Sequence, residues 1–338
     1  MTDTPPRDRR PRAYPAPEFP PRKPRLFART PPAIFPSLLG LLGLGLALRT
    51  GAAVFGVSGS VPAGLIEAAL GALLILWAFA VVALKVKVLR RPAVLTEDMR
   101  VLPGRSGLAS ATMSGMAAAA VLLPYAPGLA LLLVVASLVA HAVMAAILIV
   151  TLARLPPESR NVNPTLHLSF VGFIVGAGPL AALGHVGSAT VIFWVSAILA
   201  LAIWAASLVQ LIRSEPPAPL RPLLAIHLAP AALLSLVAVE IGQPLLSLGF
   251  TTLGMVIFLA LLAGARWITL SGFSPLWGAF TFPLAAFANA LLTQGDSWVW
   301  PGTVVLLLAL GVVPSIAWNV LKLWPGNRLA LKTNAAEA

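Results

Sequence analysis

The sequence predicts an all-α polytopic membrane protein with ten transmembrane helices. Hydrophobic residues make up 59% of the chain and charged residues 10%, whereas a soluble domain carries about 25% charged residues. The mean hydropathy is +0.92. Apolar runs of about 17–25 residues, which are long enough to span the hydrocarbon core of a bilayer, recur along most of the chain.

The predicted spans follow one another with short separators. We place them near residues 33–54, 61–86, 107–125, 127–153, 166–184, 187–213, 221–242, 244–267, 275–293 and 299–323. The separators, such as SGSVPAG, PYAPG and SEPPAPLRP, carry turn-forming residues and are too short to be domains. We therefore expect a ten-helix domain at 31–325 and a cytosolic tail at 326–338. Residues 1–30 are rich in Pro and Arg and lack an apolar core, so we expect a disordered basic tail and no cleavable signal.

Positive charge predicts the orientation of the chain. If the amino terminus is cytosolic, 22 of the 23 Lys and Arg residues lie on the cytosolic side, and only Arg49 lies on the other. The positive-inside rule then places both termini in the cytosol and the protein in the inner, or cytoplasmic, membrane. The net charge of +12 is explained by this topology and by attraction to anionic lipid, so we expect no nucleic-acid partner.

Proline separates the spans into two kinds. The second, fourth, sixth and eighth are long and have no proline beyond their first turn, whereas the third, fifth, seventh and ninth hold Pro124, Pro179, Pro230 and Pro283. The tenth span departs from this alternation because it contains Pro314. A broken helix is tolerated at membrane depth only against protein or a water-filled path. We therefore predict that odd helices line a central pore and that even helices surround them.

Few ionisable residues are predicted to lie within the membrane. They are Glu67, His141, His167, His227 and Glu240. Only His227 and Glu240 lie well within an odd span, and their 13-residue separation corresponds to about 20 Å along an ideal helix, so they cannot pair. Each is a candidate for transport or for a satisfied polar contact, with Glu240 in a hydrated outer vestibule. A pore without fixed charge favours weakly hydrated anions, which helix dipoles and hydroxyl groups can stabilise.

Motifs of enzymes and of metal sites are absent from the sequence. There is no GxGxxG, P-loop, HExxH or GxSxG motif and no pair of intramembrane Asp residues, and the chain has 0 Cys and four widely separated His. We therefore expect neither an enzyme nor a bound metal or cofactor. An intramembrane transferase or protease is the rival class, and no motif supports it.

Four segments carry a resemblance to a known family. They are FPSLLGLLGLGLALR at 35–49, NPTLHLSFVGFIVGAG at 163–178, LRPLLAIHLAPAA at 220–232 and FSPLWGAFTFPLAAFANA at 273–290. Over residues 33–325 the chain resembles the tellurite-resistance/dicarboxylate transporter family, which includes bacterial tellurite-resistance protein A and the plant slow-type guard-cell anion channels. The resemblance implies ten helices arranged as five hairpins, a central pore lined by the odd helices, and a homotrimer.

The resemblance also implies a gate at Phe282, because in family members the phenylalanine before the matching proline occludes the pore. Pro283 cannot donate its backbone N–H, and its ring crowds the carbonyl of Ala279, so we expect a bend near mid-membrane. Phe282 lies about 200° around the helix from Phe280. Phe280 and Phe287 share another face, which is typical of packing residues. The alternative for Phe282 is an ordinary packing contact.

The sequence therefore predicts an anion channel or facilitative anion transporter of the cytoplasmic membrane. The alternative is a proton-coupled carrier or exporter for C4-dicarboxylate, sulfite or tellurite. Small inorganic or organic anions and the lipid bilayer are the expected partners. Besides the residues named above, the predicted pore-lining positions are Gly40, Gly43, Ser110, Thr112 and Phe173.

Overall fold

The computed structural model describes residues 25–156 and 161–338, so most of the predicted tail at 1–30 lies outside the described residues. The described chain is helical and contains no β-strand. Ten helical segments occupy the predicted positions, and we refer to them in chain order as the first to tenth spans. They are Pro32–Val54, Val61–Arg90, Leu102–Leu122, Pro127–Arg154, His167–Ala182, Val186–Arg213, Ala218–Glu240, Pro244–Ala263, Pro275–Gln294 and Asp296–Leu321.

Eight of these segments are long and apolar enough to cross a membrane. The two others are the third span, which is rich in Ser, Gly and Ala, and the fifth span, which is the shortest. Both were predicted from the sequence, but in the structure they are less apolar or shorter than the other eight, and their side chains contact other helices. The predicted class, an all-helical protein that spans a membrane, is confirmed.

Burial differs sharply between odd and even spans. Between 67% and 72% of the central residues of the first, seventh and ninth spans are buried, compared with 11–39% in the second, fourth, sixth, eighth and tenth. The exposed side chains of the even spans are large and apolar, for example Ile75, Leu132, Ile198, Val256 and Leu307. A surface of this composition is suited to lipid tails.

The odd spans contact one another in a closed ring. The first span packs against the third and the ninth, the fifth packs against the third and the seventh, and the seventh packs against the ninth. Each even span packs against the odd span that precedes it. The ring is held together by small residues: a methyl group added at Gly40 would lie 2.3 Å from the Thr281 hydroxyl oxygen, so these two spans meet almost backbone to backbone.

Three odd spans change helix type along their length. The fifth begins with a π-helical turn, His167–Val171, and continues as the α-helix Ile174–Ala182. The seventh begins as the 3-10 helix Ala218–His227 and continues as Leu228–Glu240. The ninth changes from the 3-10 helix Pro275–Phe280 to the α-helix Thr281–Gln294.

Because the helix type changes within these spans, Pro230 and Pro283 do not lie in the middle of a helix, where a proline would cause the expected kink. Pro230 and Pro283 are each the third residue of an α-helical part. The first N–H groups of an α-helix have no partner within that helix, so a proline there leaves few hydrogen bonds unmade. The break therefore precedes Pro283, at the junction between Phe280 and Thr281, and the α-helix that follows is regular.

Most of the charged side chains lie at one end of the spans, which we call the basic face; the opposite end is the far face. At the basic face Lys87 donates to Asp98 at 2.8 Å and to the backbone oxygen of Thr30, and both charged side chains are almost fully buried. Burial raises the pKa of the Asp98 carboxyl, although Lys87 opposes this. The other oxygen of Asp98 accepts from the backbone N–H of Ala336, so the segment at 326–338 packs against the helical body.

Candidate functional site

A cavity of about 330 Å³ lies between the five odd spans, in the half of the protein toward the far face; we call it the far cavity. Its walls are mostly apolar and come from all five odd spans, including Gly43, Thr50, Ala117, Pro124, Ile174, Pro179, Val237, Glu240, Phe282 and Asn289. It follows that the ring of odd spans encloses space on its own axis, without any contribution from an even span.

The ninth span presents one face to this cavity. Phe282, Ala286 and Asn289 line it, and their spacing of four and three residues puts them on one side of an α-helix. Phe282 is the deepest of the three and is only 6% exposed. A methyl group added at Gly43 would lie 2.9 Å from a ring carbon of Phe282, so the ring rests directly on the backbone of the first span. Phe282 and Gly43 together form what we call the constriction.

A second, much smaller pocket of about 20 Å³ lies toward the basic face; we call it the basic pocket. It is also lined by all five odd spans, through residues that include Pro36, Ser106, Leu168, Ile226, Gly278 and Ala279. Gly278 and Ala279 precede Phe282 by about one helical turn on the ninth span. The phenyl ring of Phe282 therefore lies between the basic pocket and the far cavity.

A third space of about 10 Å³, which we call the middle chamber, shares wall residues with both of the others. It shares Leu168 and Ile226 with the basic pocket, and it shares Ile174 and Leu233 with the far cavity. The remaining walls include His167 and Pro230. A space of this size holds about one water molecule.

Charge at the far cavity is largely neutralised. Arg49 lines the cavity and binds Glu67 of the second span through two hydrogen bonds, of 2.7 and 2.6 Å. The hydroxyl of Tyr125 donates to the same carboxylate at 2.9 Å. This bidentate arrangement is the strongest geometry for an Arg–carboxylate pair. Glu240 is exposed and lines the cavity near its mouth, where water can hydrate its carboxylate.

Several of the predicted site residues meet around these spaces. Gly43, Pro124, Pro179, Phe282 and Glu240 line the far cavity, and Pro230 lines the middle chamber. These residues lie in the five odd spans or, for Pro124, just after one, and are separated by up to 239 positions in the sequence. The fold brings them to one axis.

Other predicted positions lie away from the three spaces. The hydroxyl of Thr112 lies 2.6 Å from Nδ1 of His141, and the ring of Phe173 packs edge-on against His141 with ring centroids 4.5 Å apart. Both side chains therefore face the fourth span. His227 contacts His167, and its backbone oxygen accepts from the indole N–H of Trp204 in the sixth span.

The last three predicted positions serve packing in this structure. Pro283 lines a crevice on the outer side of the ninth span, next to Phe258 of the eighth and Leu308 of the tenth. Gly40 packs against the Thr281 side chain, as described above. Ser110 is buried and does not line the far cavity, the basic pocket or the middle chamber.

Sequence reasoning did not select Arg49, Thr50 or Asn289 as site residues, although all three line the far cavity. Asn289 had a signal, because it lies seven residues after Phe282 and therefore on the same helical face. Arg49 was singled out only as the one positive charge outside the predicted cytosolic segments. Its side chain is held at the cavity by Glu67, which lies on the second span, and this pairing between two helices was not predicted from the sequence.

Comparison with known proteins gives a family match. The profile of a family described as voltage-dependent anion channel matches residues 29–323, a region that contains all ten spans. This is the family that the four sequence segments indicated. No curated protein matches the chain significantly in a sequence search.

Proposed function

Because this chain belongs to the voltage-dependent anion channel family, we propose that it forms an anion channel or facilitative anion transporter in the cytoplasmic membrane. The observation that carries the proposal is the constriction. A single aromatic ring, Phe282, lies between two spaces that are both enclosed by the five odd spans. Anions pass along the axis of the five odd spans when the side chain of Phe282 moves away from Gly43.

The chemistry of the far cavity favours anions with a weakly held hydration shell. Its walls are mostly apolar, and Thr50 and Asn289 supply polar groups. Arg49, the one positive charge among the described residues that line it, is already paired with Glu67. Without an unpaired cation an anion is bound weakly, which lets it leave as readily as it arrives, as conduction requires.

The proposed arrangement in the membrane follows the charge distribution. The basic face is in the cytosol, together with both chain termini, and the ten spans form five hairpins around the pathway. Family resemblance supports a homotrimer, in which the exposed apolar faces of even spans supply the contacts between copies. Chemical cross-linking of the purified protein in lipid nanodiscs tests the trimer.

A second candidate function is a proton-coupled carrier or exporter for C4-dicarboxylate, sulfite or tellurite. One observation favours it: His167, which lines the middle chamber, is hydrogen-bonded to a second histidine. A carrier that couples anions to protons requires a group that binds a proton beside the pathway.

Planar-bilayer recording tests the proposed function directly. The purified chain and its Phe282→Ala variant are each recorded under a potassium chloride gradient and then with nitrate, sulfate, sulfite, malate and tellurite. We expect a reversal potential close to that of chloride and larger currents in the variant. A reversal potential close to that of potassium, or no current from either protein, would overturn the proposal. Saturable flux driven by a pH gradient, without ohmic current, would favour the carrier.

A further inference from the structure

Two histidines from different odd spans meet beside the pathway. Nε2 of His167 lies 3.0 Å from Nδ1 of His227, and the two rings are nearly perpendicular, at 86°. A neutral pair in this geometry shares one proton, which one ring donates to the other. His167 is only 2% exposed, and its Nδ1 has no hydrogen-bond partner among the described residues.

Nδ1 of His167 has no partner among the described residues, so its partner must be a water molecule or an ion in the middle chamber. If Nε2 of His167 donates to His227, Nδ1 of His167 is a buried acceptor without a donor. If Nδ1 of His227 donates instead, Nδ1 of His167 carries the proton and is a buried donor without an acceptor. Leaving a buried polar group unpaired costs about 1–3 kcal/mol. A bound proton on His167 together with an anion beside it would satisfy both nitrogens.

The position of the pair connects it to anion passage. His167 lines the middle chamber, which shares walls with the basic pocket and with the far cavity. An anion in the middle chamber therefore lies beside the imidazole and next to the walls of both spaces. His227 is half-buried. The pair therefore extends from the wall of the middle chamber toward the outer side of the ring of odd spans.

The charged and titratable groups on the surrounding helices do not balance the positive charge that a proton would bring to the histidine pair. Arg105 on the third span donates to the backbone oxygen of Met99, and Arg221 on the seventh binds Glu215. His141 on the fourth span binds Thr112. The sixth span contributes Trp204, whose ring centroid lies 5.6 Å from that of His167.

Among the described residues, no carboxylate forms an ion pair or a hydrogen bond with either ring of the pair. A buried charge without a partner is strongly disfavoured, so the empty site is neutral. An anion in the middle chamber is the partner that the protonated pair lacks.

We infer that His167 and His227 form a proton-dependent anion site, at which one proton and one small anion bind together and are released together. This inference rests on the proposed function and specifies it further: passage of anions is faster at acidic pH, because an anion stops in the chamber only while the histidine pair holds a proton. The proton comes from water at the pathway and returns to water when the anion leaves.

The flux of chloride and of nitrate into liposomes tests the inference. The Phe282→Ala background is used so that the constriction does not limit the rate. When the protonated form is the minor one, a requirement for one proton gives a slope approaching about one decade of flux per pH unit. We expect this slope between pH 7.5 and 5.5, and we expect His227→Gln and His167→Gln to abolish it. His141→Gln, a buried histidine on the fourth span, is the matched control and should keep the slope.

A direct measurement separates this inference from the proposed function. Addition of nitrate to the detergent-solubilised chain in weak buffer should take up protons, and the His167→Gln/His227→Gln double variant should take up none. If Phe282→Ala liposomes conduct but their pH slope survives in a folded His227→Gln variant, the inference is overturned and the channel function stands. If no variant conducts and nitrate causes no proton uptake, both fail. Should His167→Gln not fold, the half-buried His227→Gln variant decides the outcome.

Discussion

Replacing Phe282 with alanine is expected to raise the basal anion conductance strongly while the protein remains folded. The side chain is 6% exposed and rests on Gly43, between the basic pocket and the far cavity. Truncation to alanine removes the ring that separates these two spaces. The neighbouring residues that line the cavity on the same helical face are Ala286 and Asn289, which are too small and too far along the helix to fill the gap.

The magnitude follows from the surface that the ring buries. A buried phenylalanine removes about 200 Å² from water, and moving the ring off Gly43 would expose about half of it. At about 25 cal/mol per Å² this exposure costs about 2.5 kcal/mol. Such a cost keeps the open state below about 2% of the population, because every 1.4 kcal/mol corresponds to a factor of about ten. We therefore expect the variant to conduct at least about tenfold more, with a ceiling near sixtyfold.

The cost in stability should be smaller than for an enclosed phenylalanine. Substitution of an enclosed Phe by Ala costs about 3–5 kcal/mol because a cavity remains. Here the space joins the far cavity and fills with water, so the loss of packing is partial. The measurements are single-channel or macroscopic current in planar bilayers and thermal unfolding of the detergent-solubilised protein.

Phe280→Ala is the matched control on the same span. The ring of Phe280 packs edge-on against Trp277, with ring centroids 5.6 Å apart, and lines the outer crevice rather than the far cavity. This variant should lose some stability and keep the low conductance of the parent. If both variants fold and conduct like the parent, Phe282 is a packing residue and the constriction is elsewhere. If Phe280→Ala alone opens the path, the assignment of the two faces of the ninth span is wrong.

Three further predictions test the constriction, the cavity wall and the basic face. Gly43→Ala places a methyl group 2.9 Å from the ring of Phe282, so it should raise flux in the parent and have no further effect in Phe282→Ala liposomes; additive effects would contradict direct contact. Asn289→Leu in the Phe282→Ala background should lower nitrate flux without lowering the unfolding temperature, since it removes a polar group from the wall; unchanged flux would show that this amide does not contact the ion. Asp98→Asn leaves Lys87 buried without a counter-charge and should cost about 3–5 kcal/mol, whereas Lys87→Met/Asp98→Leu should recover most of it; an Asp98→Asn protein that unfolds at the parental temperature would refute this.

The order of the helices and the two kinds of span were predictable from the sequence for a local reason. Apolar length and the position of proline are properties of each segment by itself, and they determine which helices tolerate lipid and which need protein around them. The third span illustrates the limit of hydropathy, because its run SGLASATMSG falls below the apolarity of a lipid-facing helix. It was predicted as a span together with the others, and its small residues, which allow neighbouring backbones to approach, assigned it to the inner helices.

The direction in which side chains point was much less predictable. Phe173 and Thr112 were expected in the pore, but both face His141. The fifth span begins with a π-helical turn, which inserts an additional residue and rotates everything after it by about 100° relative to a regular α-helix. Nothing in the local sequence marks this turn. The rotation of a helix about its own axis also depends on how it packs against neighbouring helices. A single sequence does not show that packing.

His227 shows the same limit in a different helix. It is the last of the ten residues of the 3-10 helix Ala218–His227. A 3-10 helix turns 120° per residue and an α-helix 100°, so the nine steps from Ala218 to His227 accumulate a difference of about 180°. This rotation turns His227 from the predicted pore face toward the fifth and sixth spans, where it meets His167. The pairing of these two residues, 60 positions apart, could not have been found without the structure.

The two proposed devices share one physical requirement, namely that no uncompensated charge remains in the interior of the membrane. Phe282 closes the path with an apolar ring, which needs no counter-ion whether it rests on Gly43 or has moved away. The histidine pair becomes charged only when an anion is present to balance it. Arg49, the one cation lining the far cavity in the part of the chain that the structure describes, is held by Glu67 at 2.6 Å. A fixed unpaired cation would instead bind anions tightly in a medium of low dielectric constant and slow their release. An anion pathway whose walls carry no unpaired cation therefore favours rapid passage over tight binding, and leaves control of the flux to the constriction.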